Sequence, residues 1–185
     1  PETQVVLPRL KTDFAQIVQA VAQTQGEIIT YQGKIIEPLY HASCGGGRTE
    51  SARDVWGNDR PYLQSVSCTH PPDKHTQVKT TLSLAEVDQK LGSDASVTAA
   101  SGGSTSSPLA ILASSASDRV LEMRIGTKAY SGSRVRQALG LKSALISFSQ
   151  AGDEVTFTTN GYGHGVGMCQ YGADYYAEQG WDYQA

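Results

Sequence analysis

Two polar stretches hold most of the side chains able to bind, protonate or ligate. The first runs His41-Ala42-Ser43-Cys44-Gly45-Gly46-Gly47-Arg48-Thr49-Glu50 and continues to Asp54, Trp56 and Pro61-Tyr62-Leu63. Imidazole and carboxyl groups carry protons at accessible pH, and the faces of Trp56 and Tyr62 suit stacking on pyranose rings. Consecutive glycines let backbone approach a ligand closely, so the amides of Gly45 and Gly46, with the Ser43 hydroxyl, are expected to face a sugar.

The second stretch is Asn160-Gly161-Tyr162-Gly163-His164-Gly165-Val166-Gly167-Met168-Cys169-Gln170-Tyr171-Gly172-Ala173. Its alternate glycines follow a strand-like segment, and a helix is expected from about Gly167, with Met168 and Tyr175 in the core. Glycine-rich chain leading into a helix exposes amides and a positive dipole end, a setting for a carboxylate or phosphate, with His164 and Gly165 at its mouth and Gln170 and Tyr171 beyond. Each residue also has a plainer reading. A single histidine is more often a hydrogen-bonded structural group, Glu50 and Asp54 also fit the cap of a helix from residue 51, and Trp56 fits a core. No G-x-x-x-x-G-K-[ST] motif occurs, which excludes the usual phosphate cradle.

Metal chemistry would draw on His41, Cys44, Cys68, His70, His75, His164 and Cys169. Only His41-x-x-Cys44 has ligand-like spacing and no second paired motif accompanies it, so His41 and Cys44 are weak zinc candidates and otherwise no cofactor is expected. Three cysteines are too few for a disulfide scaffold; they read as buried or free thiols, or as a Cys44–Cys68 bridge.

The elements that must position these groups alternate helical and strand-like patterns. Asp13 and Gln16 suggest a capped helix over residues 13 to 24, and Ile28 to Tyr31 with Lys34 to Tyr40 a hairpin turning at Gln32-Gly33 that leads to His41. Residues 41 to 75 read as a long ordered loop. Ser83 and Glu86 open a helix that Gly92 ends, and residues 93 to 108, rich in Ser, Gly and Thr, read as a mobile linker. Strands at 109 to 114, 120 to 125, 144 to 148 and 155 to 159 flank a helix at 133 to 139. The fold class is α+β with mostly antiparallel strands, in a single domain spanning residues 1 to 185.

The composition fits that of an ordinary core-forming domain: 39% hydrophobic residues in 185 and a net charge of -3 with scattered Lys and Arg. Such a balance leaves no basic footprint for nucleic acid. No apolar run approaches the roughly 20 residues of a membrane span. The chain reads as a fragment of a longer protein.

The motif order Tyr40 to Glu50, Asp54 to Gly57, Pro61 to Val66, Met123 to Gly126, Ser131 to Ser133, Arg136 and Gly161 to Ala173 resembles the SpoIID/LytB family over about residues 14 to 185. The resemblance implies an extracytoplasmic role on peptidoglycan: lytic transglycosylation of glycan strands stripped of stem peptides, or enhancement of a cell-wall amidase. Its partners would be glycan strands and such an amidase. His41, Ser43, Gly45, Gly46, Glu50, Asp54, Trp56, Tyr62, His164, Gly165, Gln170 and Tyr171 would line the glycan groove. The family's catalytic glutamate opens an Ala-rich helix with no counterpart here, and zinc ligands reported for some members belong to the same upstream region. Glu50 alone would then be a substitute acid.

Overall fold

The computed structural model describes residues 11–100 and 107–185. The described residues divide into two compact units, with the boundary between Pro38 and Leu39. The first contains helix α1 (Lys11–Gln23) and the hairpin β1 (Thr30–Tyr31) and β2 (Lys34–Ile35). The helix begins two residues before Asp13, so the expected cap lies inside it. Gln32 and Gly33 both take positive φ, 50° and 75°, the pair of left-handed residues a two-residue hairpin turn requires.

The second unit carries the functional stretches. Its core lies between two three-stranded antiparallel sheets and the helices packed on them. One sheet orders β4 (Val78–Ser83), β9 (Glu154–Thr159) and β8 (Ile146–Ala151); the other orders β5 (Leu109–Ser114), β6 (Val120–Ile125) and β7 (Lys128–Ser131). Alternation along β9 sends Val155, Phe157 and Thr159 inward and Glu154 outward. Val155 and Phe157 meet Met123 and Ile125 of β6 and Val87 of helix α3 (Leu84–Leu91) in one apolar cluster. Burying a side chain such as Phe157 contributes about 1.5–3 kcal/mol. The α+β class and the mostly antiparallel pairing are as the sequence patterning indicated.

Helix α3 is capped as its sequence requires: Ser83 and Glu86 form a reciprocal capping box, and Gly92 ends the helix in the left-handed region. Helix α5 (Gly132–Leu139) is capped by Ser131 and closed by Gly140. The linker expected at 93–108 is corrected in part, because residues 95–100 form helix α4 (Ala95–Ala100). The physical reason is Asp88, whose carboxylate accepts hydrogen bonds from the amides of Ala95 and Ser96 at 2.7 and 2.9 Å and so caps α4 from outside it. Ala95 is buried against the α3 core. Residues 101–106 lie outside the described residues. Among the described residues no helix is long and apolar enough to cross a membrane.

A long loop follows the short strand β3 (Tyr40–His41), interrupted by helix α2 (Ala52–Trp56). The second polar stretch does not begin a helix at Gly167, as expected. Met168–Cys169 is instead a strand, β10, paired in parallel with β3, and helix α6 (Gln170–Glu178) starts after it. Gly167 must accommodate the Leu39 carbonyl, which donates nothing and accepts the Met168 amide at 3.0 Å, so extended pairing displaces the helical turn there. Met168, expected in the core, is 54% exposed as a consequence.

Candidate functional site

The two polar stretches, far apart in sequence, are joined backbone to backbone. Ser43 and Tyr162 exchange amide-to-carbonyl bonds at 3.1 and 2.8 Å, the Glu50 amide donates to the Gly165 carbonyl at 2.8 Å, and β3 pairs with β10. Gly161 and Gly165 take φ of 82° and 87° to allow this close packing. Side chains from both stretches therefore face shared space.

That space is a cavity of about 110 Å³ lined by Glu50, Asp54, His164, Gly163 and two arginines, Arg119 and Arg136, together with Ser131 and Ser133. Glu50 and Arg119 sit at its floor, their side chains 1% and 3% exposed and 3.3 Å apart between Oε1 and Nε. Glu50 also accepts from the Ser115 hydroxyl at 3.0 Å. Burial pushes the Glu50 carboxyl above its ordinary value, and Ser115 and Arg119 hold the rise back. Arg119 donates through Nη2 to the Cys44 carbonyl at 3.0 Å, while its Nη1 is buried without a partner. On the wall, Arg136 donates through Nε to the Lys142 carbonyl at 3.2 Å.

Three aromatic rings stand together beside the cavity. His164 lies 5.4 Å from Trp56 and 5.9 Å from His41 between ring centroids. His164 Nδ1 accepts the Val166 amide at 3.1 Å, which fixes its proton on Nε2. Burial, then the nearby His41, Arg136 and Arg119, lowers its pKa. The His41 ring donates Nδ1–H to the Val166 carbonyl at 3.2 Å, leaving Nε2 buried without a partner. Trp56 is 43% exposed. Asp54, though it lines the cavity, also exchanges hydrogen bonds with Ser51, the N-cap of α2.

Other sequence candidates lie elsewhere. The Ser43 hydroxyl donates to Asp73 at 2.6 Å, the Gly45 amide points at Ser43 Oγ, and the Gly46 amide points at Cys44 Sγ, so these groups are engaged within the protein. Tyr62 packs against the Ala52, Leu63 and Val166 cluster. Gln170 lines a different groove, of about 760 Å³, with Cys68, Tyr176 and Trp181. Tyr171 packs on the cysteine cluster and stacks on His70 at 6.3 Å. Arg119, Ser115 and Arg136 were not among the groove residues read from sequence; an arginine just ahead of an ordinary strand gives no local signal of the cavity.

Cys44, Cys68, His70 and Cys169 are all buried, and their donor atoms lie within 4.8 Å of one another. His41 stands outside this group. The three thiols are free, and Cys44 Sγ donates to the Cys68 carbonyl at 3.3 Å.

No protein-family model matches the chain. It is 40% identical over 176 residues to stage II sporulation protein D of Bacillus amyloliquefaciens, with 91% of this chain and 48% of that protein covered. Its identity to the protein of the same name from Bacillus subtilis is 38% over 173 residues, covering 92% of this chain and 48% of the relative. The amidase enhancer of Bacillus subtilis is 27% identical over 219 residues, with 90% and 30% covered. Over about nine tenths of its length the chain is thus similar to proteins of the SpoIID/LytB family. It spans about half the length of the stage II sporulation protein D relatives it matches.

Proposed function

We propose that this chain forms the glycan-binding lobe of an extracytoplasmic peptidoglycan lytic transglycosylase acting on strands without stem peptides. The carrying observation is the pairing of Arg119, with its unpartnered buried Nη1, and Arg136 in one cavity beside the Trp56 and His164 rings. Removing a stem peptide exposes the lactyl carboxylate of muramic acid, and a guanidinium with free donors recognises a carboxylate through two parallel hydrogen bonds. Trp56 then supports the sugar ring by stacking. His164, with Nδ1 accepting the Val166 amide and its pKa lowered, stays neutral and adds no charge beside the two arginines.

Cleavage needs an acid at the leaving oxygen. Glu50 is the cavity carboxyl whose pKa is raised, the direction an acid requires, but it is also the partner of Arg119. In our reading Glu50 holds Arg119 in place and the acid comes from the family's glutamate helix in the complete protein.

Isothermal titration of the chain with denuded glycan oligosaccharides, followed by mass spectrometry of the strands, tests this reading. Binding that Arg136→Gln weakens at least tenfold, weaker binding of peptide-bearing strands, and no anhydro-muramyl ends are expected. Equal heats for both strand types, or no heat at all, contradict it; anhydro ends would move the acid to Glu50.

A second reading, engagement of a cell-wall amidase, is favoured by the groove of about 760 Å³ near the exposed Trp181 and Tyr183. Recovery of an amidase on the immobilised chain without glycan, abolished by Trp181→Ala, would support it.

A further inference from the structure

Of the buried polar groups that the glycan cavity does not use, the densest set is Cys44, Cys68, His70 and Cys169. We infer that these four residues bind one zinc ion as a closed Cys3His structural site that fastens the two halves of the cavity together.

The donor set, three soft thiols and an imidazole, suits zinc in tetrahedral coordination. Geometry agrees with it. Zn–S bonds of about 2.3 Å and a Zn–N bond of about 2.0–2.1 Å at tetrahedral angles place sulfur and nitrogen about 3.6 Å apart. His70 Nε2 lies 3.4 Å from Cys44 Sγ and 3.6 Å from Cys169 Sγ, and all four donor atoms fall within 4.8 Å of one another.

The surroundings orient the donors as a metal site requires. Because a carbonyl only accepts, the contact of His70 Nδ1 with the Pro71 carbonyl at 2.9 Å puts the ring proton on Nδ1 and turns the Nε2 lone pair toward the sulfurs. Backbone amides point at two of the sulfurs, Gly46 at Cys44 at 3.4 Å and Gly172 at Cys169 at 3.3 Å, an arrangement that stabilises thiolate charge. All four residues are less than a tenth exposed, which leaves no position open for water or substrate and marks the role as structural.

The placement explains what such an ion would do. Cys44 follows β3 and His41, Cys68 and His70 lie in the later part of the long loop, and Cys169 ends β10 just past His164. One ion therefore ties together three segments that are also joined by backbone pairing and by side-chain bonds such as Ser43 to Asp73. The inference is independent of the identity of the cavity's ligand.

The test is elemental analysis of the full chain purified under reducing conditions without chelator, with cobalt(II) exchanged into the same protein. About one zinc per chain, and the intense visible absorption of cobalt in tetrahedral thiolate coordination, are expected. His70→Ala and Cys68→Ser should lower the zinc content well below stoichiometric, while His75→Ala retains it. Should the variants fail to fold, the wild-type cobalt spectrum still decides. Absence of zinc after incubation with zinc sulfate, a weak octahedral cobalt spectrum, a disulfide among the three cysteines, or zinc retained in folded His70→Ala and Cys68→Ser would each overturn the site.

Discussion

Glu50 on the first polar stretch and Arg119, just ahead of the central strand β6, form a buried ion pair across the cavity floor, 3.3 Å apart and almost wholly removed from solvent. The pair links the loop that carries the candidate site to the sheet that carries the core. It also orients Arg119, whose Nη2 reaches the Cys44 carbonyl.

Breaking such a pair from one side leaves a buried charge unpaired. Glu50→Gln and Arg119→Met are each expected to cost about 3–5 kcal/mol in urea unfolding, and the double variant much less than their sum. A coupling of at least about 2 kcal/mol checks the pair; additive single effects would show that the two groups act separately.

His164 and Glu50 respond to pH in opposite senses. The folded pKa of His164 lies below the ordinary 6.5, so its contribution to stability is present above that value and is lost as pH falls through the folded pKa. The folded pKa of Glu50 lies above the ordinary 4.5, so its contribution is full below that value and is lost as pH rises through the folded pKa. NMR titration of the imidazole should find His164 neutral at pH 6.5, and His164→Gln should flatten the acid-side loss of stability just below it. A His164 ring that titrates at or above 6.5 is incompatible with this environment.

The glycines divide sharply by position. A Cβ at Gly161 would sit 2.6 Å from the Ser43 carbonyl oxygen with φ at 82°, whereas one at Gly47 would meet nothing within 4 Å. Gly161→Ala should cost about 2–4 kcal/mol, from left-handed strain and overpacking together. Gly47→Ala should stay within about 0.5 kcal/mol. Comparable thermal shifts for the two would mean that the junction at Ser43 and Tyr162 is looser than its hydrogen bonds indicate.

Local signals in the sequence were sufficient for elements whose causes are local. Ser83, Glu86 and Gly92 cap α3 as read, and Gln32-Gly33 turns the first hairpin. Helix α4 was missed because its cap, Asp88, lies in the preceding helix and its own composition is poor in apolar side chains. The parallel pairing of β3 with β10 involves two residues on each side, too short for periodicity to register, and it moved the expected helix start from Gly167 to Gln170. His41, Glu50, Asp54, Trp56 and His164 were legible as chemistry-bearing residues; the fold brings Glu50, Asp54 and His164 to one cavity and sets the His41 and Trp56 rings against His164. Arg119 was not legible, and Cys68, His70 and Cys169, though legible as possible ligands, gave no sign of their grouping with Cys44, since only long-range packing brings these residues together.

Whether the Arg119 and Arg136 cavity beside Trp56 receives peptide-free glycan is decided by an amide and indole NMR titration of the chain with denuded glycan oligosaccharides. Saturable shifts are expected at the Trp56 indole, at His164 and around Arg136, with little change at Trp181. Shifts confined to the groove at Trp181, or an unchanged spectrum at saturating glycan, would contradict glycan binding in the cavity.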